Sequence, residues 1–303
     1  MRRLPKRANR PAPWGVRLAS PEGLPPLATR PSLHGLLGGL LLICLLAPGE
    51  GCSAIGAKPS NLRDWSPDQA LMPYAQISGD LVRVYDIRNC KYLAADSYVV
   101  DYYDKTYDLR TLQTVDFIVV PFRGMPALAH TMLSFGFEGN DYLAMSVEIR
   151  REKGETYEFL RGILNQYELM YVLGDERDLV KLRTNYRGDD VYLYHAHATP
   201  EQARALFVDV MERVNQLHEK PEFYNTFTNN CTTNLMHHVN DLAPGKVPYK
   251  LGVLLPGYSD RLAYSLGLLE PNGSFAETRH RAQISELARQ YADAPDFSAR
   301  IRR

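Results

Sequence analysis

Cysteine is scarce in this chain: four in 303 residues, at Cys44, Cys52, Cys90 and Cys231. So few cannot build a disulfide scaffold, and the fold must rest on an apolar core. Net charge is missing as well, with 35 Lys+Arg against 35 Asp+Glu. The balance hides an asymmetry. Residues 1–52 hold seven basic residues against Glu22 and Glu50, which leaves 28 basic and 33 acidic residues beyond them. Such a body offers no basic face to nucleic acid. A Walker motif, a dinucleotide glycine fingerprint and internal repeats are all missing, so no cofactor is implied. Long apolar runs are missing too. The longest is Gly35–Ala47, thirteen uncharged residues. As a helix it would reach about 20 Å, short of the roughly 30 Å of a bilayer core.

What is present reads as an addressed globular protein. Hydrophobic residues make up 45% and charged residues 23%, an ordinary globular composition. Residues 1–34 are rich in Pro and Arg without period, and are expected to be disordered. Residues 35–52 fit the apolar region and processing flank of an export signal. Cys52 sits where a lipoprotein would carry its lipid, although Gly49-Glu50-Gly51 makes a poor lipobox; a retained anchor is the alternative. The basic flank would stay cytoplasmic, placing residues 53–303 outside the inner membrane. Pro59, Pro67 and Pro73 mark residues 53–80 as a tether. The body follows at 81–274, and residues 275–303 read as a loose charged tail.

Along the body, Leu81–Ile87 reads as a strand and Asp101–Leu109 as loop with short strands. Val115–Phe122 is an apolar run of strand length, buried on both faces. His130–Phe137 and Asp141–Ile149 pair around the turn Glu138-Gly139-Asn140. Tyr157–Gln166 reads as helix, Leu169–Leu173 and Asp190–His195 as strands. Thr199–Lys220 is the clearest helix. Thr199 caps it, Pro200 opens it, Gln202 closes a capping box, and Ala203, Leu206, Phe207, Val210, Val214 and Leu217 form one stripe. A second helix begins at Asn230-Cys231 and runs to about Asp241. Ser259 caps a short third one ending near Gly267. The element order implies one α+β domain.

The chemistry concentrates in Asn225-Thr226-Phe227-Thr228-Asn229-Asn230-Cys231-Thr232-Thr233-Asn234. It places Cys231 in the first turn of a helix, where unpaired N–H groups favour a thiolate and can receive an oxyanion. A catalytic thiol also needs a base. His130 heads a strand, and Glu148 lies near the end of the next, where a carboxylate could orient the imidazole. Taken singly, each also has a plainer reading: a small buried residue, a structural histidine, and a surface ion pair with Arg150 or Arg151. Arg123, Ser146, Asn230 and Thr232 are candidate substrate-binding positions. His195 and His197 lack a third ligand, so no metal site is expected. Cys90 reads as a core residue.

The stretches HTMLSFGF, YLAMSVEIRREKGE and YNTFTNNCTTNL resemble the Lnb N-terminal periplasmic domain family of Gram-negative bacteria, over roughly residues 75–270. That family is similar to circularly permuted papain-like (NlpC-type) thiol enzymes. The resemblance implies an antiparallel sheet packed against helices. It also implies Cys231 as nucleophile, His130 as base, Glu148 as orienter, and acyl transfer or hydrolysis through a thioester. Its acyltransferase type carries a membrane-embedded portion after this domain, whereas no apolar run follows here. The substrate could therefore be a lipoprotein, a phospholipid or a cell-wall peptide, with the inner membrane reached through the N-terminal segment. The competing readings are a non-catalytic lipid- or peptide-binding envelope module and a cysteine amidase or peptidase. They separate on geometry. An enzyme needs Cys231 and His130 within hydrogen-bond reach in an open cleft, and a binding module tolerates their separation.

Overall fold

In the computed structural model, residues 58–303 are described, apart from 157, 250 and 303. The readings of residues 1–57 fall outside them. Ten strands are described: β1 Tyr74–Ser78, β2 Leu81–Arg88, β3 Lys91–Ala94, β4 Ser97–Val99, β5 Tyr102–Asp108, β6 Leu112–Phe122, β7 Met125–Phe137, β8 Asp141–Arg150, β9 Glu168–Gly174 and β10 Tyr192–His195. The main sheet runs β1-β2-β9-β8-β7-β6-β10, with β5 also paired to β2; β3 and β4 form a separate hairpin. Pairing is antiparallel except for one parallel contact, Arg88 with Gly174. The sheet is therefore mixed rather than wholly antiparallel, within an α+β fold.

The helices are α1 Phe159–Ile163, α2 Glu176–Lys181, α3 Pro200–Glu219, α4 Cys231–Leu242, α5 Leu251–Leu254, α6 Ser259–Ser265, α7 Phe275–Ala282, α8 Ser285–Gln290 and α9 Phe297–Arg300. None of the described helices is long and apolar enough to cross a membrane. The stripe of α3 is buried except for the half-buried Leu206, and its N-terminus carries the full Thr199–Gln202 capping box. Phe207 meets Phe135 edge-on at 5.0 Å and Phe137 at 5.5 Å, so α3 seals one face of β7. Full burial of such a ring contributes about 1.5–3 kcal/mol.

Several sequence readings change. The β6–β7 hairpin turns tightly at Arg123-Gly124, so β7 starts at Met125 and His130 lies inside it rather than at its head. Asp101–Leu109 holds a seven-residue strand, β5, in which only Tyr107 is buried. Residues 65–78 are not a free tether: Trp65, Gln69 and Met72 are buried, and β1 joins the sheet. Tyr258, not Ser259, precedes the first residue of α6.

The last stretch, read as a loose tail, folds into α7, α8 and α9. Ser274 and Glu277 form a capping box, and Ile284, Ala288, Phe297 and Ile301 are buried in the main core. Arg302 binds two buried carboxylates, Asp116 at 2.8 Å and Glu176 at 2.5 Å. Helices of four to eight residues expose too few apolar positions to show a stripe. Phe297→Ala is expected to cost about 3–5 kcal/mol in urea unfolding; a loose tail would lose less than about 0.5 kcal/mol.

Candidate functional site

Cys231 is the first residue of α4, and the asparagines around it are structural. The Asn230 carboxamide oxygen accepts from the N–H groups of Thr232 at 2.9 Å and Thr233 at 3.0 Å. Thr233 Oγ1 accepts in return from the Asn230 N–H at 2.8 Å. Asn225 Oδ1 folds the preceding turn by accepting from Phe227 and Thr228 N–H, each at 3.0 Å. Asn234 Nδ2 ties the cap to the first turn through Asn229 Oδ1 and the Asn230 carbonyl. Asn230 is thus a cap that fully occupies two N–H groups expected to be open to an oxyanion. Cys231 itself is only 6% exposed, with Sγ 3.8 Å from Thr232 Oγ1. It is a free thiol, as is Cys90. Burial pushes the Cys90 thiol up to about 12, which keeps it protonated.

Side chains alternate along β7. Thr131 Oγ1 reaches Thr232 Oγ1 at 3.3 Å, so the odd-numbered face of β7 carries α4. Tyr171 of β9 also meets α4, bonding Asn234 and His238. It pairs with Val147, on that same face. His130 points the other way. Its Nε2 lies 2.7 Å from Ser146 Oγ, which donates to Glu148 Oε1 at 2.8 Å. Arg183 donates to the same oxygen at 3.0 Å, and Gln69 to Oε2 at 3.4 Å. The ordered triad therefore divides. His130 and Glu148 share one network, but through the Ser146 hydroxyl, expected as a substrate-binding position, rather than by the direct carboxylate–imidazole bond; the alternation of β7 sends them to the face away from α4 and Cys231, and no hydrogen bond joins His130 to Cys231 among the described residues. Arg123 is far from both groups in bonding terms: it holds the Gly188 carbonyl and Asp189.

The network has a definite proton arrangement. Burial would raise the Glu148 carboxyl, but Arg88, Arg183 and the Ser146 hydroxyl outweigh it and hold it ionised. Burial, helped by the Arg183 charge and opposed by Glu148, pushes His130 down to about 3. Since Ser146 spends its proton on Glu148, neutral His130 donates from Nε2 and keeps Nδ1 as acceptor.

Residues 98–257 match the Lnb N-terminal periplasmic domain family. The chain belongs to that family. A periplasmic location follows from it. No curated protein and no solved structure matches the chain.

Two cavities of this Lnb N-terminal domain flank α4. The first, about 480 Å³, lies over Phe117 and Leu133 and under Leu206, Leu235, Met236, Val239, Val253, Leu262 and Leu266; Thr232 lines it beside Cys231. Glu201, Gln202, His197 and Lys246 also line it and are exposed, marking its mouth. The second, about 360 Å³, is polar and holds Asp209, Arg213, Glu222, His237 and His238. Here His238 Nδ1 meets Asp209 at 2.5 Å and Nε2 meets the Tyr171 hydroxyl at 2.9 Å. Sequence reasoning missed this Asp–His–Tyr group, whose members come from three separate elements. The adjacent pair His237-His238, two turns along the helix of Cys231, was its only trace. His195 binds Asp116 at 2.6 Å, while His197 lies beyond the end of β10.

The lowered His130 value sets a pH test. The unfolded ring protonates near 6.5 and the folded ring near 3, so its contribution is complete above about 6.5 and is lost as pH falls toward 3. His130→Asn should flatten the fall in urea-unfolding free energy between about pH 6.5 and 4, removing up to about one proton of uptake on unfolding. An unchanged slope would refute the buried neutral imidazole.

Proposed function

We propose that this periplasmic protein binds an acyl chain in the apolar cavity beside Cys231. The cavity carries the reading. Its volume, about 480 Å³, lies within the usual range for small-ligand sites. Its inner wall is built from aliphatic and aromatic side chains, with exposed polar ones at the mouth. A peptide taken inside would leave backbone N–H and C=O groups without partners, at a cost of about 1–3 kcal/mol each. A run of methylenes has no such need and gains about 0.8 kcal/mol for each one buried. The separation of Cys231 from His130 also favours binding over thiol catalysis on the criterion of geometry.

A fluorescent fatty-acid probe tests this. Wild type should bind it with a blue shift, and Ala263→Phe or Leu266→Trp, each filling the cavity, should weaken binding by about tenfold or more. Equal binding by wild type and both fillers would end the reading.

A second reading rests on one observation: Thr232 lines the cavity and its neighbour Cys231 opens α4. An acyl carbonyl held at that end would meet the thiol. The thiolate would attack the carbonyl and expel an alcohol or amine, leaving a thioester for an acceptor or water, as the family resemblance implies. It requires a proton acceptor at Sγ, which His130 supplies only by crossing between β7 and β8. Thiol labelling across pH separates the readings. Cys231 labelling with an apparent pKa below about 8.5, altered by His130→Ala, would support catalysis. Labelling of Cys231 as slow as Cys90, whatever residue stands at 130, leaves binding alone.

A further inference from the structure

The acyl cavity has a direction, set by α4. Helices α3 and α4 run antiparallel: His238 binds Asp209 midway along, while Asn229, just before α4, reaches Glu222, which Arg213 of α3 holds. The wall supplied by α4 begins at Thr232, Leu235 and Met236, all buried, and ends at exposed Leu242, where Glu201 and Gln202 of the first turn of α3 also line it. Thr232 to Leu242 spans ten residues, a rise of about 15 Å. One leaflet's share of the roughly 30 Å hydrocarbon core of a bilayer is the same length. The buried polar groups of the wall are already engaged. Thr232 Oγ1 meets Thr131 Oγ1 at 3.3 Å, its N–H is held by Asn230, and Ser259 donates to the Pro256 carbonyl at 2.6 Å. The open end differs. Only His197, Glu201 and Lys246 among the lining side chains ionise, and all three are exposed. Glu201 lies 3.6 Å from Arg204. Lys246 has no carboxylate partner among the described residues. Two bonds of 2.8 Å between the Asn240 side chain and Val247 fix the backbone beside it. Gln202 spends its amide oxygen on the Thr199 N–H, which leaves its amide nitrogen to donate.

We propose that the occupant is a single-chain amphiphile with an anionic head, held tail-first: its methyl end lies against Thr232 and its head sits at the mouth, on Lys246. The inference rests on the acyl-chain reading and names the class and the orientation of the ligand. An anion pushed to Thr232 would lose its hydration without gaining a partner, a cost that a terminal methyl does not meet. At the mouth the same anion stays wet and gains the Lys246 charge. The length of α4 that lines the wall suits one extended chain of the kind that fills a leaflet. A chain bound this way keeps its carbonyl about 15 Å from the start of α4, out of reach of the Cys231 thiol.

The full chain is loaded with the fluorescent fatty-acid probe, and dodecanoate, dodecyl phosphate and dodecanol compete for it. The better of the two anions should displace the probe at about one third of the concentration that dodecanol needs, the effect of one exposed charge pair. Which anion it is tells a free fatty acid from a phosphorylated lipid. Lys246→Glu should abolish the preference over dodecanol, Lys246→Arg should keep it, and raising salt should narrow it. Orientation is read with His197→Trp at the mouth, as the difference from the parent chain with its Trp14 and Trp65. A fatty acid with bromine beside its carboxylate should quench this Trp, and one with bromine on its last carbon should spare it. Dodecanol competing as well as both anions, or a preference that survives Lys246→Glu, overturns the proposal. So does quenching by the last-carbon bromine that equals or exceeds the other, the mark of a chain held head-first or without order. If the probe never binds wild type, the acyl-chain reading itself fails; a probe that binds while these readouts fail removes the tail-first orientation alone.

Discussion

An interior strand can give each side chain to only one of its two faces. Here that constraint falls on β7, held between β6 and β8. Thr131, Leu133 and Phe135 go to the helices α3 and α4, and His130 and Ser134 go to the opposite layer. The groups of the candidate site inherit this partition. The thiol and both cavities belong to one side, the imidazole–hydroxyl–carboxylate chain to the other. Yet backbone pairing between β7 and β8 stops at Met132 with Ser146, just short of His130 and Glu148. The division is thinnest there.

The two faces are stabilised by different physics. The α3 face is closed by ring packing and aliphatic burial. The other face buries charge: Arg88 grips Asp178 through two bonds of 3.0 Å, Arg183 holds Glu148, and Arg302 spans Asp116 and Glu176. Losing one partner of such a pair strands the other, at about 3–5 kcal/mol. The charged layer is therefore costly to alter piecemeal. It fixes His130 as a neutral ring through its surroundings rather than through any contact with sulfur.

Much of this was legible in the residues. The capped, striped helix α3, the hairpin around Glu138-Gly139-Asn140 and the start of α4 at Cys231 follow from local rules, and all three form. So does the neighbourhood of His130, Ser146 and Glu148, because period-2 alternation across a short hairpin carries into space. What was not legible depends on distance along the chain. Whether His130 and Cys231, a hundred residues apart, share a face depends on the parity of one strand position against a helix packed over it. Arg302 read as tail charge because its partners, Asp116 and Glu176, lie far upstream. The apolar cavity draws its wall from β6, β7, α3, α4, α5 and α6, far apart in the chain, and leaves no contiguous motif.

The carboxamide of Asn230 has a consequence for what can arrive at α4. The start of a helix ordinarily welcomes negative charge. Here two of its donors are already bound by an uncharged side chain of the same chain. An incoming carboxylate or phosphate would have to evict that side chain and unmake the cap, a loss of about 1 kcal/mol, before gaining anything. On the acyl-chain reading proposed above, the cap disfavours a charged group at this helix start and leaves an uncharged hydrocarbon unopposed.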